Sequence, residues 1–208
     1  MADDDPGAAA ARLADEMRRI IERLAIVRPP AEELRQAAEA ASAFADRLEG
    51  FPERQRSWEV SEAGLLPRDF VAFSPVSGRS NAIAPPVSLT AVDGPEGAHI
   101  EGEVSFGPAY EGPPGHVHGG LIAAMFDELL GFAQQGPGFT ATLTVSYLRP
   151  TPLNRRLTLR ASVERVDGRK RTIRGTCELD GEVLSEAEGL FIAPRSDDDF
   201  LARLGQVG

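Results

Sequence analysis

The sequence predicts an α+β domain in which one antiparallel sheet wraps around a single buried helix, with a pair of amphipathic helices ahead of it. Three observations carry this. Residues 118–134 are apolar on essentially every helical face, Leu121, Met125, Phe126, Leu129, Leu130 and Phe132 among them, and a helix apolar all round belongs inside a fold. Alternating runs of strand type flank that stretch on both sides, with Asp-Gly turns between the later ones, the strongest short-range hairpin signal. Before them, two segments repeat apolar residues at steps of three and four, the helical period.

The composition supports one ordinary domain with an appendage. Of the 208 residues, 42% are hydrophobic and 26% charged, which allows a sizeable core and argues against wholesale disorder. No apolar run reaches the roughly 20 residues needed to cross a bilayer. The formal net charge of −10, from 32 acidic and 22 basic residues, argues against nonspecific binding to nucleic acid or an anionic membrane. Basic charge does gather locally at Arg149, Arg155, Arg156, Arg169, Lys170, Arg171 and Arg174. The single cysteine, Cys177, rules out an intrachain disulfide and a cysteine-based zinc cage; its mid-strand place makes it a small core residue. With the acidic start Met1-Ala2-Asp3-Asp4-Asp5, unlike a basic secretory leader, a cytoplasmic location is expected.

Residues 1–50 read as a helical hairpin. Its first helix carries the seam Leu13, Met17, Ile20, Leu24 and Val27, and Pro29-Pro30 stops it. The second carries Leu34, Ala38, Ala41, Ala45 and Leu48, ending at Gly50. Such seams mean packing, so the pair is expected to cap the domain or support a dimer; a partner-binding arm is the sharper alternative. Residues 51–85 are a connector without sustained period, holding Trp58 and the apolar run Phe70-Val71-Ala72-Phe73. Residues 86–195 hold the sheet and its helix in the order β-β-α-β-β-β-β. In the strand after the helix, Ala141, Leu143, Val145 and Tyr147 share one face, and Thr140, Thr142, Thr144 and Ser146 the other. Turns are expected at Asp93-Gly94-Pro95, Asp167-Gly168 and Asp180-Gly181. Residues 196–208 form a tail with one short capped helix.

Two carboxylates, Asp127 and Glu128, stand in the apolar helix, where a charge is costly unless partnered or used. At least one should face a polar pocket, a subunit interface or water. Pro113-Pro114-Gly115 forces a turn, and His118-Gly119-Gly120 opens the helix. The first-turn N–H groups there have no intrahelical acceptor, which suits a developing oxyanion. One helix thus offers an oxyanion donor at its start and a carboxylate further along. His116 and His118 make a His-x-His pair, but no third ligand stands at a recognisable spacing, so no metal is expected.

His118-Gly119-Gly120, with Asp127 nine positions after the histidine, resembles the start of the central helix in the PaaI- and THEM-type hotdog thioesterases. Tyr147-Leu148-Arg149-Pro150 is similar to their Tyr-X-Arg-Pro strand ending. The resemblance covers about residues 80–194 and leaves out the N-terminal helices. It implies a hotdog fold and hydrolysis of an acyl-coenzyme A to free acid and coenzyme A, which enters as part of the substrate; no separate cofactor is expected. Asp127 would be the general base, or else the nucleophile. The Gly119 N–H, with Gly120 adjacent, would polarise the thioester carbonyl, His118 would orient the thioester or its loop, and Thr140 would help hold the attacking water. Some members carry an asparagine where this chain has Gly112, so Glu111 or a water is expected to substitute. A site built across a homodimer, or a dimer of dimers, is also implied. His118 reads equally as a helix cap. Arg149, Arg169, Lys170 and Arg171 read as contacts to the coenzyme A phosphates, through arginine's planar fork of donors, or as solvated charges at a hairpin tip. The rival function is a catalytically silent module of the same fold that binds acyl-coenzyme A or partner proteins.

Overall fold

The computed structural model describes residues 5–54, 57–61, 64–68, 71–94, 97–134 and 136–204. Met1–Asp4 of the acidic start, Phe70 of the apolar run, Pro95 of the first turn and the last four residues lie outside them. Two helices lead, α1 (Pro6–Ile26) and α2 (Ala31–Glu49), followed by a small hairpin of β1 (Ser57–Ser61) and β2 (Gly64–Arg68). Then come β3 (Val87–Gly94), β4 (Gly97–Val104), α3 (Gly119–Ala133), β5 (Phe139–Tyr147), β6 (Leu157–Asp167), β7 (Lys170–Leu179), β8 (Glu182–Ile192) and α4 (Asp197–Arg203). The last six strands form one antiparallel sheet in the order β3-β4-β6-β7-β8-β5, so β5 and β3 are its edges. The β1–β2 hairpin sits inside the stretch expected to lack regular structure; its five-residue strands are too short to register as a sustained period.

The helix α3 lies across the sheet. Ile122, Met125, Phe126, Leu129, Leu130 and Ala133 are buried against Leu157, Leu159, Ala161, Ile173, Cys177 and Phe191. Two glycines bring it close. A Cβ on Gly175 or on Gly189 would stand 3.0 Å from a methyl of Leu130, so these positions form the hollow that receives that side chain. The expected tight turns are present, with positive φ at Gly168 and at the Asp180-Gly181 pair, as right-twisted hairpins require. Burial pushes the Cys177 thiol up to about 12, in keeping with a core residue. At the C-terminus Ser196 caps α4 by accepting from the Asp199 N–H, and Phe200 packs on Phe139 at the start of β5.

The N-terminal pair differs from the expected hairpin. α1 docks on the domain through Ala14 and Arg18, not through its apolar seam, while α2 buries none of its residues. Arg18 explains the docking. Its Nε donates to the Ala84 carbonyl at 2.8 Å, one Nη to the Asn81 carbonyl at 3.1 Å and the other to Asp15 at 2.6 Å. The two carbonyls lie outside α1 and orient the helix, Asp15 on α1 itself steadies the guanidinium from behind, and the small Ala14 lets the helix approach. Arg18→Met, which leaves two carbonyls without their donor, is expected to lower the unfolding free energy by about 2–3 kcal/mol in urea titration.

Candidate active site

Every expected site residue of α3 and β5 lies on one side of the sheet domain, and local chemistry explains each placement. His118 is the N-cap of α3: its backbone is extended (φ −65°, ψ 126°) and its Nδ1 accepts the Gly120 N–H at 3.1 Å. The ring therefore carries its proton on Nε2. That capping bond engages the Gly120 N–H and leaves the Gly119 N–H as the open donor of the turn; among the described residues nothing accepts it. Three further bonds fix the turn's direction. The His118 N–H donates to the Tyr110 carbonyl at 3.0 Å and the Val117 N–H to the Thr151 carbonyl at 2.9 Å. The Tyr147 hydroxyl donates to the Gly119 carbonyl at 2.8 Å, so the peptide after Gly119 is clamped from the end of β5. Tyr147 figured in the sequence only as part of a strand ending; no signal short of the register of β5 against α3 could show this bond.

Gly112 fills the place where some hotdog relatives have asparagine. A Cβ there would sit 2.7 Å from His118 Cα, so the backbone of the turn itself occupies the space of that side chain. Glu111 does not substitute: its carboxylate accepts the Gly115 N–H at 2.6 Å and closes the loop below the turn. His116 likewise faces its own loop, with Nδ1 at 2.9 Å from the Pro114 carbonyl.

Asp127 is exposed and accepts the Thr140 hydroxyl at 2.9 Å. Strict alternation would turn Thr140 away from α3. A bulge at Ala141 corrects this, because Thr140 pairs with Phe191 and Thr142 with Leu190, leaving one residue of β5 extra. The slip moves Thr140 to the face that holds Leu143 and Val145, which is the face toward the helix. Glu128 turns the other way, accepting hydroxyls of Ser74, at 2.7 Å, and Ser77. It ties the connector to α3 and is occupied by that task.

The basic residues separate. Arg149 pairs with Glu182 at 2.5 Å, where β8 begins, whereas Lys170 pairs in register with Ile192, where β8 ends. Ten residues of strand put them on the order of 30 Å apart in one chain. Arg171 donates to the Gln134 carbonyl, a cation on the C-terminus of α3 where the helix dipole favours it. Arg169 donates to the Ala193 carbonyl at 2.8 Å, and among the described residues Lys170 has no ionic partner. A cleft of about 290 Å³ joins Arg169 and Arg203 to Phe139, Thr140 and Ala141. A larger one of about 750 Å³, lined by Arg79, Val87, Leu89 and Phe132 among others, touches neither His118 nor Asp127. Tyr147→Phe is expected to keep the fold and to lower the unfolding free energy by about 0.5–1 kcal/mol, the net worth of one exposed hydrogen bond, in denaturant titration.

Comparison with known proteins agrees with this architecture. Residues 114–184 match the thioesterase superfamily sequence profile. The chain is 40% identical over 93 residues to acyl-coenzyme A thioesterase THEM4 of Xenopus laevis, covering 41% of each protein. It is 38% identical over 90 residues to the Bos taurus protein of that name, covering 41% of this chain and 37% of that one. The chain thus spans about two fifths of the length of these relatives. A crystal structure described as a thioesterase superfamily protein superimposes with a TM-score of 0.77 at 36% identity, over 88% of this chain and 90% of that one. With a helix on an antiparallel sheet, the arrangement is the hotdog fold, and the chain belongs to the thioesterase superfamily.

Proposed function

We propose that the chain hydrolyses an acyl-coenzyme A thioester, with each site assembled from two copies. The observation that carries this reading is the spacing along α3. The open Gly119 N–H and Asp127 are eight residues apart, about 12 Å of helix. One thioester carbonyl cannot lie within 3 Å of that N–H and also receive a water held by the carboxylate of the same chain. On this reading the two groups that one helix offers serve two different sites, in keeping with the homodimer that the resemblance implies. The same pair drawn from two copies meets the requirement, and the exposed Asp127 face beside the edge strand β5 is where a second copy fits, as a homodimer or a dimer of dimers.

In this mechanism the Gly119 N–H of one copy holds the thioester oxygen. Asp127 of the other takes a proton from a water that Thr140 helps position, and the water oxygen attacks the carbonyl carbon. The oxyanion gathers its charge against the Gly119 N–H and the positive end of α3. Collapse restores the carbonyl, breaks the carbon–sulfur bond and expels the coenzyme A thiolate, to which the proton returns. The bond from Thr140 to Asp127 puts a hydroxyl beside the carboxylate where a water can be held, which suits the base role. His118, with its proton on Nε2, orients the turn and can donate to the substrate. Arg169 and Lys170, beside the cleft that reaches Thr140, are the members of the basic group suited to the coenzyme A phosphates. Arg171 holds the helix end, and Arg149 lies at the opposite end of β8. The THEM4 relatives bear the name of acyl-coenzyme A thioesterases, which supports the substrate class.

Two variants test the mechanism by release of free thiol from short, long and aromatic acyl-coenzyme A substrates. Asp127→Asn is expected to lower turnover at least 100-fold with the fold retained. Gly119→Pro deletes the oxyanion donor alone: proline suits the first helical position, and the extended His118 before it suits proline. A loss of about 100- to 1000-fold is expected. Mixing the two inactive variants should restore about a quarter of wild-type turnover, since one of the two sites in each mixed dimer of this symmetric kind is intact. No recovery would place both groups of a site in one chain. If wild type releases thiol from no substrate yet binds acyl-coenzyme A, the silent binding module is the correct reading.

A further inference from the structure

α1 lies outside the residues that match the superfamily profile, yet only a few contacts separate it from the oxyanion turn. Its less exposed residues, Ala10, Ala11, Ala14, Met17, Arg18 and Glu22, recur at helical spacing. The last two of these are charged, and both bear on the chain ahead of α3. Arg18 donates to the carbonyls of Asn81 and Ala84. The same short segment receives Tyr110, whose hydroxyl donates to the Ile83 carbonyl at 3.3 Å. Burial pushes the Tyr110 phenol up; the neighbouring Arg18 guanidinium opposes that rise and the Glu22 carboxylate adds to it. One turn of α1 beyond Arg18, the Glu22 carboxylate lies against Gly107, in the space a Cβ would take.

Tyr110 joins these contacts to the turn. It closes a single turn of 3-10 helix, Pro108–Tyr110, on which α1 packs. Its ring is buried edge-on against Phe106, 5.7 Å between centroids. Its carbonyl accepts the His118 N–H at 3.0 Å. The backbone of His118 aims the next peptide, the one that carries the Gly119 N–H. Two glycines follow His118, and glycine restricts its own backbone least of all residues, so the direction of that N–H has to be held from outside. An oxyanion donor works at about 2.7–3.1 Å, and a misplacement of about 1 Å costs on the order of 100-fold.

We propose that α1 is a working part of the active site and that Arg18 is a positioning residue for hydrolysis. It holds the segment and the turn that carry Tyr110, whose carbonyl sets the direction of the Gly119 N–H. This rests on the oxyanion role proposed for that N–H and gives the N-terminal helix a task in the same reaction.

A double-variant cycle on thiol release tests it, using wild type, Arg18→Met, Gly119→Pro and the two combined in the full chain. Arg18→Met is expected to lower kcat about 10-fold and leave KM within about twofold, because the disturbed contact strengthens only in the transition state. With Gly119→Pro the donor is already gone, so Arg18→Met should cost nothing further. Lost folding stability alone would lower both backgrounds alike. Tyr110→Phe keeps the ring and the carbonyl and removes only the phenol's bond; it should repeat the pattern at about threefold. Hydrogen exchange of the His118 amide should quicken in Arg18→Met while the amides of Leu129 and Leu130 keep their protection. An unchanged kcat in Arg18→Met, or an equal loss in both backgrounds, would overturn the proposal and leave the hydrolysis standing. A Gly119→Pro chain as active as wild type would remove the oxyanion role itself, and this inference with it.

Discussion

The burial of α3 against the sheet is the constraint on which the remaining structure depends. Leu130 enters a hollow left by Gly175 and Gly189, and Phe126 and Leu129 are wholly enclosed. Close-packed contact of this kind admits little sliding or rotation, so every other residue of the helix inherits a fixed direction. Asp127 is left on the open side and Glu128 is turned to the connector. The N-terminus arrives where Tyr110, Thr151 and Tyr147 can hold the entering turn. The apolar core thus does chemical service: it aims one unbonded N–H and one carboxylate.

That rigid helix also sets a distance. A straight helix cannot bring its first residue and its ninth to a single atom, which is why the proposed mechanism takes them from two copies. The exposed face of Asp127 lies beside β5, an edge strand of the sheet. Arg171 and Arg169 satisfy carbonyls at the end of the helix and just past β8.

The N-terminal region obeys a different logic. α1 is attached by an arginine that donates to two carbonyls outside the helix, and most of its apolar seam stays exposed. The connector is held separately, by the hydroxyls of Ser74 and Ser77 on Glu128. Polar clamps of this sort fix orientation while adding little buried area, so the seams keep their exposure.

The sequence by itself determined the elements of this protein: the buried helix from its all-round apolarity, the strands from alternation, and the Asp-Gly turns from the backbone each demands. Periodicity also displayed both seams of α1 and α2. What it could not supply was which face docks, because a seam looks the same whether it meets its own domain or something else. Motif spacing brought out His118, Gly119 and Asp127, whereas the role of Tyr147 required the end of β5 to be set beside the start of α3. Thr140 shows the division most clearly. Alternation, a local rule, turns it outward; the bulge at Ala141 turns it to Asp127. A bulge is settled by how two strands pair along their whole length, and pairing is a property of the assembled sheet.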